Sequence, residues 1–246
     1  MTSAVLSVET EILNALAEVT DPELDEPITD LGFVRSVFID DDGVTVHLRL
    51  PTAFCSPNFA YLMASDALDA LRALDEAGQV RVLLDDHHDS DKINAGLAAD
   101  AGYLGTFGVE AEESLAELRD VFWRKAHAAA MERAIASLLR RRPMDVEQIS
   151  RLLLRDLPEN KEKVALLRRR FAIGLSNCPN CRVLVDDEGK AIAAEAVPLR
   201  LRFAKSVRIS MEGNAHFCRG LLATRYSDDE AEGAVPVVTN LRRSRR

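Results

Sequence analysis

Residues 8–19 place Ile12, Leu13, Leu16 and Val19 at helical spacing behind Ser7, a good capping residue, with Glu9 and Glu11 in the first turn. Asp21-Pro22 stops that helix. Residues 33–39 are rich in Val, Ile and Phe, the residues 40–43 (Asp-Asp-Asp-Gly) are turn chemistry, and Val44, Val46, Leu48 and Leu50 alternate with Thr45, His47 and Arg49. The period of two predicts a half-buried strand, so 33–50 reads as a hairpin, with His47 on its solvated face. Ser56-Pro57 opens a second helix whose apolar face is Phe59, Leu62, Met63, Ala67, Ala70, Leu71 and Leu74; Gly78 ends it and 79–84 supplies a third strand.

Beyond residue 85 the pattern changes. Residues 85–108 are polar and contain glycine, without a clear period. A long helix is predicted from about Glu110 to Arg141, broken by Pro143, and shorter helices over 145–156 and 160–171 are divided by Pro158. Strand-like runs at 182–185, 190–197 and 199–210 flank the turn at 186–189. The expected class is α+β: a small α-β-β-α-β front domain over 1–86, a linker over 87–109, a helical segment over 110–172, a small β-rich C-terminal metal-binding module over 173–228, and an acidic-to-basic tail over 229–246 expected to be solvated.

Composition is that of an ordinary globular chain, with 47% hydrophobic and 29% charged residues among 246. A net charge of -9 works against wrapping a phosphate backbone, so proteins rather than nucleic acid are the expected partners. Arginines at 140–142 and 168–170 close helical patterns, where they complement the helix dipole. The start of the chain lacks the basic and apolar regions of a signal peptide, and no run approaches eighteen apolar residues. The expectation is a cytoplasmic protein without membrane attachment.

Four cysteines are too few for a disulfide framework in a chain this long, and their placement carries more information. Cys55 stands between a predicted strand and a helix start, where free N–H groups and the helix dipole support a thiolate able to hold a soft metal; a buried small hydrophobe is the alternative. Cys178 and Cys181 bracket Pro179-Asn180, and His216 and Cys218 lie two apart in what reads as a strand, hence on one side of it. Three sulfurs and one nitrogen suit tetrahedral zinc. A redox pair at Cys178 and Cys181 is the competing reading, although this CxxC follows a helix and enters a strand rather than standing in a βαβ unit. His87 and His88, among acids, read as a solvated loop ahead of a metal site, and His127 as a packing or surface residue.

Asp21-Pro22-Glu23-Leu24, then Ile28-Thr29-Asp30-Leu31-Gly32-Phe33-Val34, then the strand at 44–50 and Thr52-Ala53-Phe54-Cys55 resemble, in order and context, the SufT/PaaD-like metal–sulfur cluster assembly factors. Phe33 stands where that family usually has an aliphatic residue, and Ser56 separates Cys55 from the proline that commonly follows. The resemblance covers about residues 8–85. It implies a factor that assembles or delivers iron–sulfur clusters or matures iron-dependent enzymes, with Cys55 as principal residue and Asp21 and Thr52 lining the same pocket; Asp21 reads equally as a helix stop. A front domain of this kind ahead of rear cysteines is also similar to the layout of phenylacetate-degradation D proteins. That layout implies a di-iron, multicomponent monooxygenase as client.

The sequence contains no Ser-His-Asp order, phosphate-binding glycine loop or nucleotide fingerprint, so no catalytic residue is assigned. The main expectation is a non-catalytic maturation factor that carries transient iron or an iron–sulfur cluster, with structural zinc in the rear module. Its expected partners are a client iron-dependent enzyme, the iron–sulfur assembly machinery and a second copy of the chain. The alternatives are a thiol–disulfide oxidoreductase using Cys178 and Cys181, and a zinc-stabilised adaptor in which Cys55 is structural.

Overall fold

The chain begins its regular structure where capping chemistry directs it: Ser7 Oγ accepts the Thr10 N–H, and helix α1 runs Val8–Ala17 with Ile12 and Leu16 fully buried. The structure is a computed structural model that describes residues 7–108, 115–227 and 236–242. It divides into two units, the first formed by Met1–Leu115 with Asn214–Arg246 and the second by Ala116–Gly213.

In the first unit, strands β1 (Val34–Ile39) and β2 (Gly43–Leu48) form the expected hairpin. Its turn is held by Asp40, whose Oδ1 accepts the N–H groups of Asp42 and Gly43 at 3.0 and 2.9 Å. Val44, Val46 and Leu48 are buried while Thr45 and His47 are half-exposed, as the alternation requires. His47 does not merely face solvent: its Nδ1 lies 3.0 Å from Asp85 Oδ1. Helix α2 (Pro57–Arg72) buries Ala60, Met63, Ala64, Ala67, Leu68 and Leu71, and β3 (Gln79–Leu84) returns parallel to β2. Gly43 is required for that return, because a Cβ there would stand 2.1 Å from the Gln79 carbonyl oxygen. The sheet order is β3-β2-β1-β4.

The fourth strand, β4 (Val237–Asn240), corrects the expectation of a solvated tail. It pairs parallel to β1, Val237 against Ser36 through Asn240 against Ile39, with Arg242 donating to the carbonyls of Asp40 and Glu76. Residues 228–235 and 243–246 of that tail lie outside the described residues. The expected linker is likewise built: helices α3 (Ser90–Ala98) and α4 (Gly102–Phe107) occupy it. Its glycines read as loop, yet Gly96 serves close packing, since a Cβ there would meet Thr106 Oγ1 at 2.0 Å. Phe107 and Tyr103 both pack edgewise on Tyr61 of α2.

The second unit is helical. Helix α5 (Leu115–Leu139) carries a run of small residues, and Ala128, Ala130, Met131, Ala134 and Ile135 pack with Ile149 of α6 (Val146–Arg151) and Leu166 of α7 (Lys161–Ala172). The predicted helix start near Glu110 falls within 109–114, outside the described residues. Val183 and Leu184 join this core from irregular backbone.

The β-rich C-terminal module is overturned. Val197–Arg225 is one helix of 29 residues, α8, and the strand pairing in the described segment before it amounts to isolated bridges, Leu153 with Arg182 and Val185 with Ala191. The apparent alternation of Leu199, Leu201 and Phe203 with arginines lies on the surface of α8, where Leu199 and Phe203 are exposed. No described helix is long and apolar enough to cross a membrane.

Candidate functional site

Cys55 occupies the last position of the loop between β2 and α2, with Ser56 and Pro57 starting the helix directly after it. The loop is shaped by local bonds. The Thr52 hydroxyl oxygen accepts the Phe54 N–H at 3.2 Å and lies 3.5 Å from Cys55 Sγ, so its proton is free to point at the sulfur. From below, His87 holds the loop in register. Its Nε2–H donates to the Cys55 carbonyl at 2.8 Å while its Nδ1 accepts the Asp89 N–H at 3.1 Å, a pair that fixes the neutral tautomer. His88 adds a backbone bond to the Ala53 carbonyl at 2.9 Å and a tilted ring contact with Phe54. His88 is exposed, as its reading as solvated loop has it, whereas His87 is 6% exposed and supports the Cys55 loop.

Asp21 stands in the turn that follows α1. Its Oδ1 accepts the N–H groups of Glu23 and Leu24 at 2.8 and 2.9 Å, which turns the chain after α1. Its carboxyl also lines the cavity of about 120 Å³ that Cys55 faces, together with Phe33, Leu24 and Met63. Burial outweighs the two N–H bonds and pushes that carboxyl up to about 6.

Helix α8 also contributes to the cavity. Cys218 of α8 lines it. Ala215 and Leu222 on the same helix face are buried in the core of the first unit, and Cys218 packs against that core between them. Burial pushes the Cys218 thiol up to about 11, and the negative charges of Asp21 and Cys55 act in the same direction. Both cysteines are free thiols.

This placement divides the expected zinc ligands. Cys178 and Cys181 belong to the second unit, where the Cys181 N–H donates to the Cys178 carbonyl at 2.8 Å and Ser176 Oγ accepts the Cys178 N–H at 3.1 Å. That tight turn keeps two thiols on one knuckle. His216 and Cys218 belong to the first unit and lie on a helix rather than a strand. At roughly 100° per residue they point about 200° apart, so the shared strand face that would have aligned them does not exist. His216 is exposed whereas Cys218 faces the cavity. Among the described residues, no group of three or more His, Cys, Asp or Glu side chains is arranged to hold a metal ion.

Of the two readings of His127, packing is the one the structure bears out. It is fully buried in the second unit, and neither ring nitrogen has a hydrogen-bond partner among the described residues. Burial, reinforced by Arg170 and Arg200, lowers its pKa to about 4, so it is neutral.

Comparison with known proteins bears on the first unit. The profile of the iron–sulfur cluster assembly protein family matches residues 9–84, which span α1 through β3 and include Asp21, Thr52 and Cys55. An uncharacterized protein of the archaeon Methanocaldococcus jannaschii is 34% identical over 85 residues, 34% of this chain and 87% of the relative. No solved structure matches significantly. The rest of the chain, including α8 with Cys218, lies beyond the family match.

Proposed function

We propose, from the premise that the chain belongs through residues 9–84 to the iron–sulfur cluster assembly protein family, that it receives iron or an iron–sulfur cluster at Cys55 and passes it to a client enzyme. Membership points to an accessory role in cluster assembly. The observation that carries the assignment to Cys55 is its setting: a free thiol ahead of a helix start, facing a small, mostly apolar cavity, with a hydroxyl within reach of the sulfur. A thiolate is the soft ligand that iron in clusters takes, and the Thr52 hydroxyl lies 3.5 Å from this sulfur. The iron or cluster is cargo, held long enough to be handed on.

Within the family we favour the SufT/PaaD-like branch, on the DPE, DLG and Thr-x-x-Cys elements at 21–23, 30–32 and 52–55. The client we propose is an iron-dependent enzyme of the multicomponent di-iron monooxygenase class, a reading supported only by the similarity of layout. The test is genetic and chemical together. With Cys55→Ser as the sole copy, the client should accumulate iron-poor and inactive beside normal amounts of this protein; a fully loaded, active client would overturn the assignment.

A further inference from the structure

We infer that Cys218 is a second thiolate of the Cys55 site, so that this chain binds soft-metal cargo between two sulfurs, one from the family domain and one from α8. The inference rests on the proposed role of Cys55 and extends it.

Helix α8 is fastened to both rims of the cavity. Asn214 Nδ2 donates to Glu23 and Arg219 to Glu26, on the loop that begins at Asp21. Arg225 Nη1 donates to the Leu50 carbonyl at 3.0 Å, just ahead of the Cys55 loop, and Nη2 to the Asp86 carbonyl beside His87. Ala215 and Leu222 seat the helix in the core. Between these anchors Cys218 is the residue of α8 that lines the cavity, together with Cys55, Phe33, Leu24 and Met63.

Each carboxylate lining the cavity has one oxygen in a hydrogen bond. One oxygen of Asp21 accepts two backbone N–H groups, and Glu23 accepts from Asn214. The two sulfurs therefore lead the donor set, and such a set selects iron, zinc or cuprous copper over magnesium or calcium. On binding, each S–H proton leaves to solvent as its sulfur–metal bond forms, with no change in oxidation state. Two protein thiolates fill half of a tetrahedral set. The open positions can be taken by sulfide, by a small thiol or by the receiving protein, as transfer requires.

The test uses full-length protein under anaerobic conditions, in a Cys178→Ser/Cys181→Ser background to silence the other thiols, titrated with cobalt(II) as a spectroscopic stand-in for ferrous iron. The readouts are sulfur-to-metal charge-transfer absorption per bound metal and affinity, with thermal unfolding of each variant as a check on folding. Cys218→Ser should remove about half of the absorption and weaken binding at least tenfold, on the order of a lost ligand contact. Cys218→Ala should do the same while unfolding as the background protein does. Unchanged absorption and affinity in both Cys218 variants, with loss in Cys55→Ser, would overturn the two-thiolate site and leave the Cys55 role standing. Absence of charge-transfer absorption in the background protein itself would overturn both.

Discussion

The imidazole of His87 donates through Nε2 to the carbonyl of Cys55 at 2.8 Å, while its other nitrogen is held by the Asp89 N–H. One buried side chain from beyond β3 thus fixes both the backbone of the cysteine loop and its own tautomer. His87→Ala should therefore destabilise the first unit by about 1–3 kcal/mol, the usual cost of leaving such a group unpaired, as read by denaturant unfolding. An unchanged midpoint would show that the loop does not depend on this bond.

Thr52 offers a sharper probe of the sulfur. Thr52→Val keeps the shape and removes the hydroxyl, so alkylation of Cys55 at neutral pH should slow several-fold, whereas Thr52→Ser should react like the parent. Mass spectrometry of the 52–55 peptide distinguishes the two. Equal rates in all three proteins would mean that the hydroxyl proton points elsewhere.

Gly43 is tested by a single methyl group. Gly43→Ala forces a Cβ against the Gln79 carbonyl at the start of the β2–β3 pairing, and should cost more than about 2 kcal/mol. Circular dichroism during thermal unfolding measures it; a stable Gly43→Ala protein would contradict the packing.

His127 gives the second unit a pH dependence of definite sign. Its folded pKa, about 4, lies below the ordinary 6.5, so between those values the unfolded chain binds a proton that the folded chain refuses. Stability should be unaffected by this residue above pH 6.5 and fall as pH drops toward 4, by up to about 3 kcal/mol. His127→Leu should abolish that loss and raise stability near pH 5. The comparison of parent and variant across this window isolates the contribution.

The front domain was legible because its signals are local: Ser7 before α1, the 40–43 turn, the alternation at 44–48, Pro57 at a helix start. The Thr52 and Cys55 elements were legible for the same reason. Helix α8 was not, because Leu199, Leu201 and Phe203 mimic a strand and Gly213 and Gly220 discourage a helix. Its true signal was there at longer range: Val197, Leu201, Ala204, Met211, Ala215, Cys218 and Leu222 keep the alternating three- and four-residue spacing of one helix face, with Arg208 in the remaining place. Reading that stripe would have put Cys218 among core-facing residues and separated it from His216. The placement of Cys218 in the cavity that Cys55 lines, and the clamp from His87, depend on tertiary contacts that no local pattern encodes.

The most direct test of the central claim is anaerobic reconstitution of the full chain with ferrous iron and sulfide, followed by measurement of bound iron and sulfide and of the visible spectrum, in parent and Cys55→Ser proteins with matched unfolding midpoints. The account predicts iron, sulfide and sulfur-to-iron charge-transfer absorption in the parent and their loss in Cys55→Ser. Equal iron and an unchanged spectrum in Cys55→Ser would contradict it.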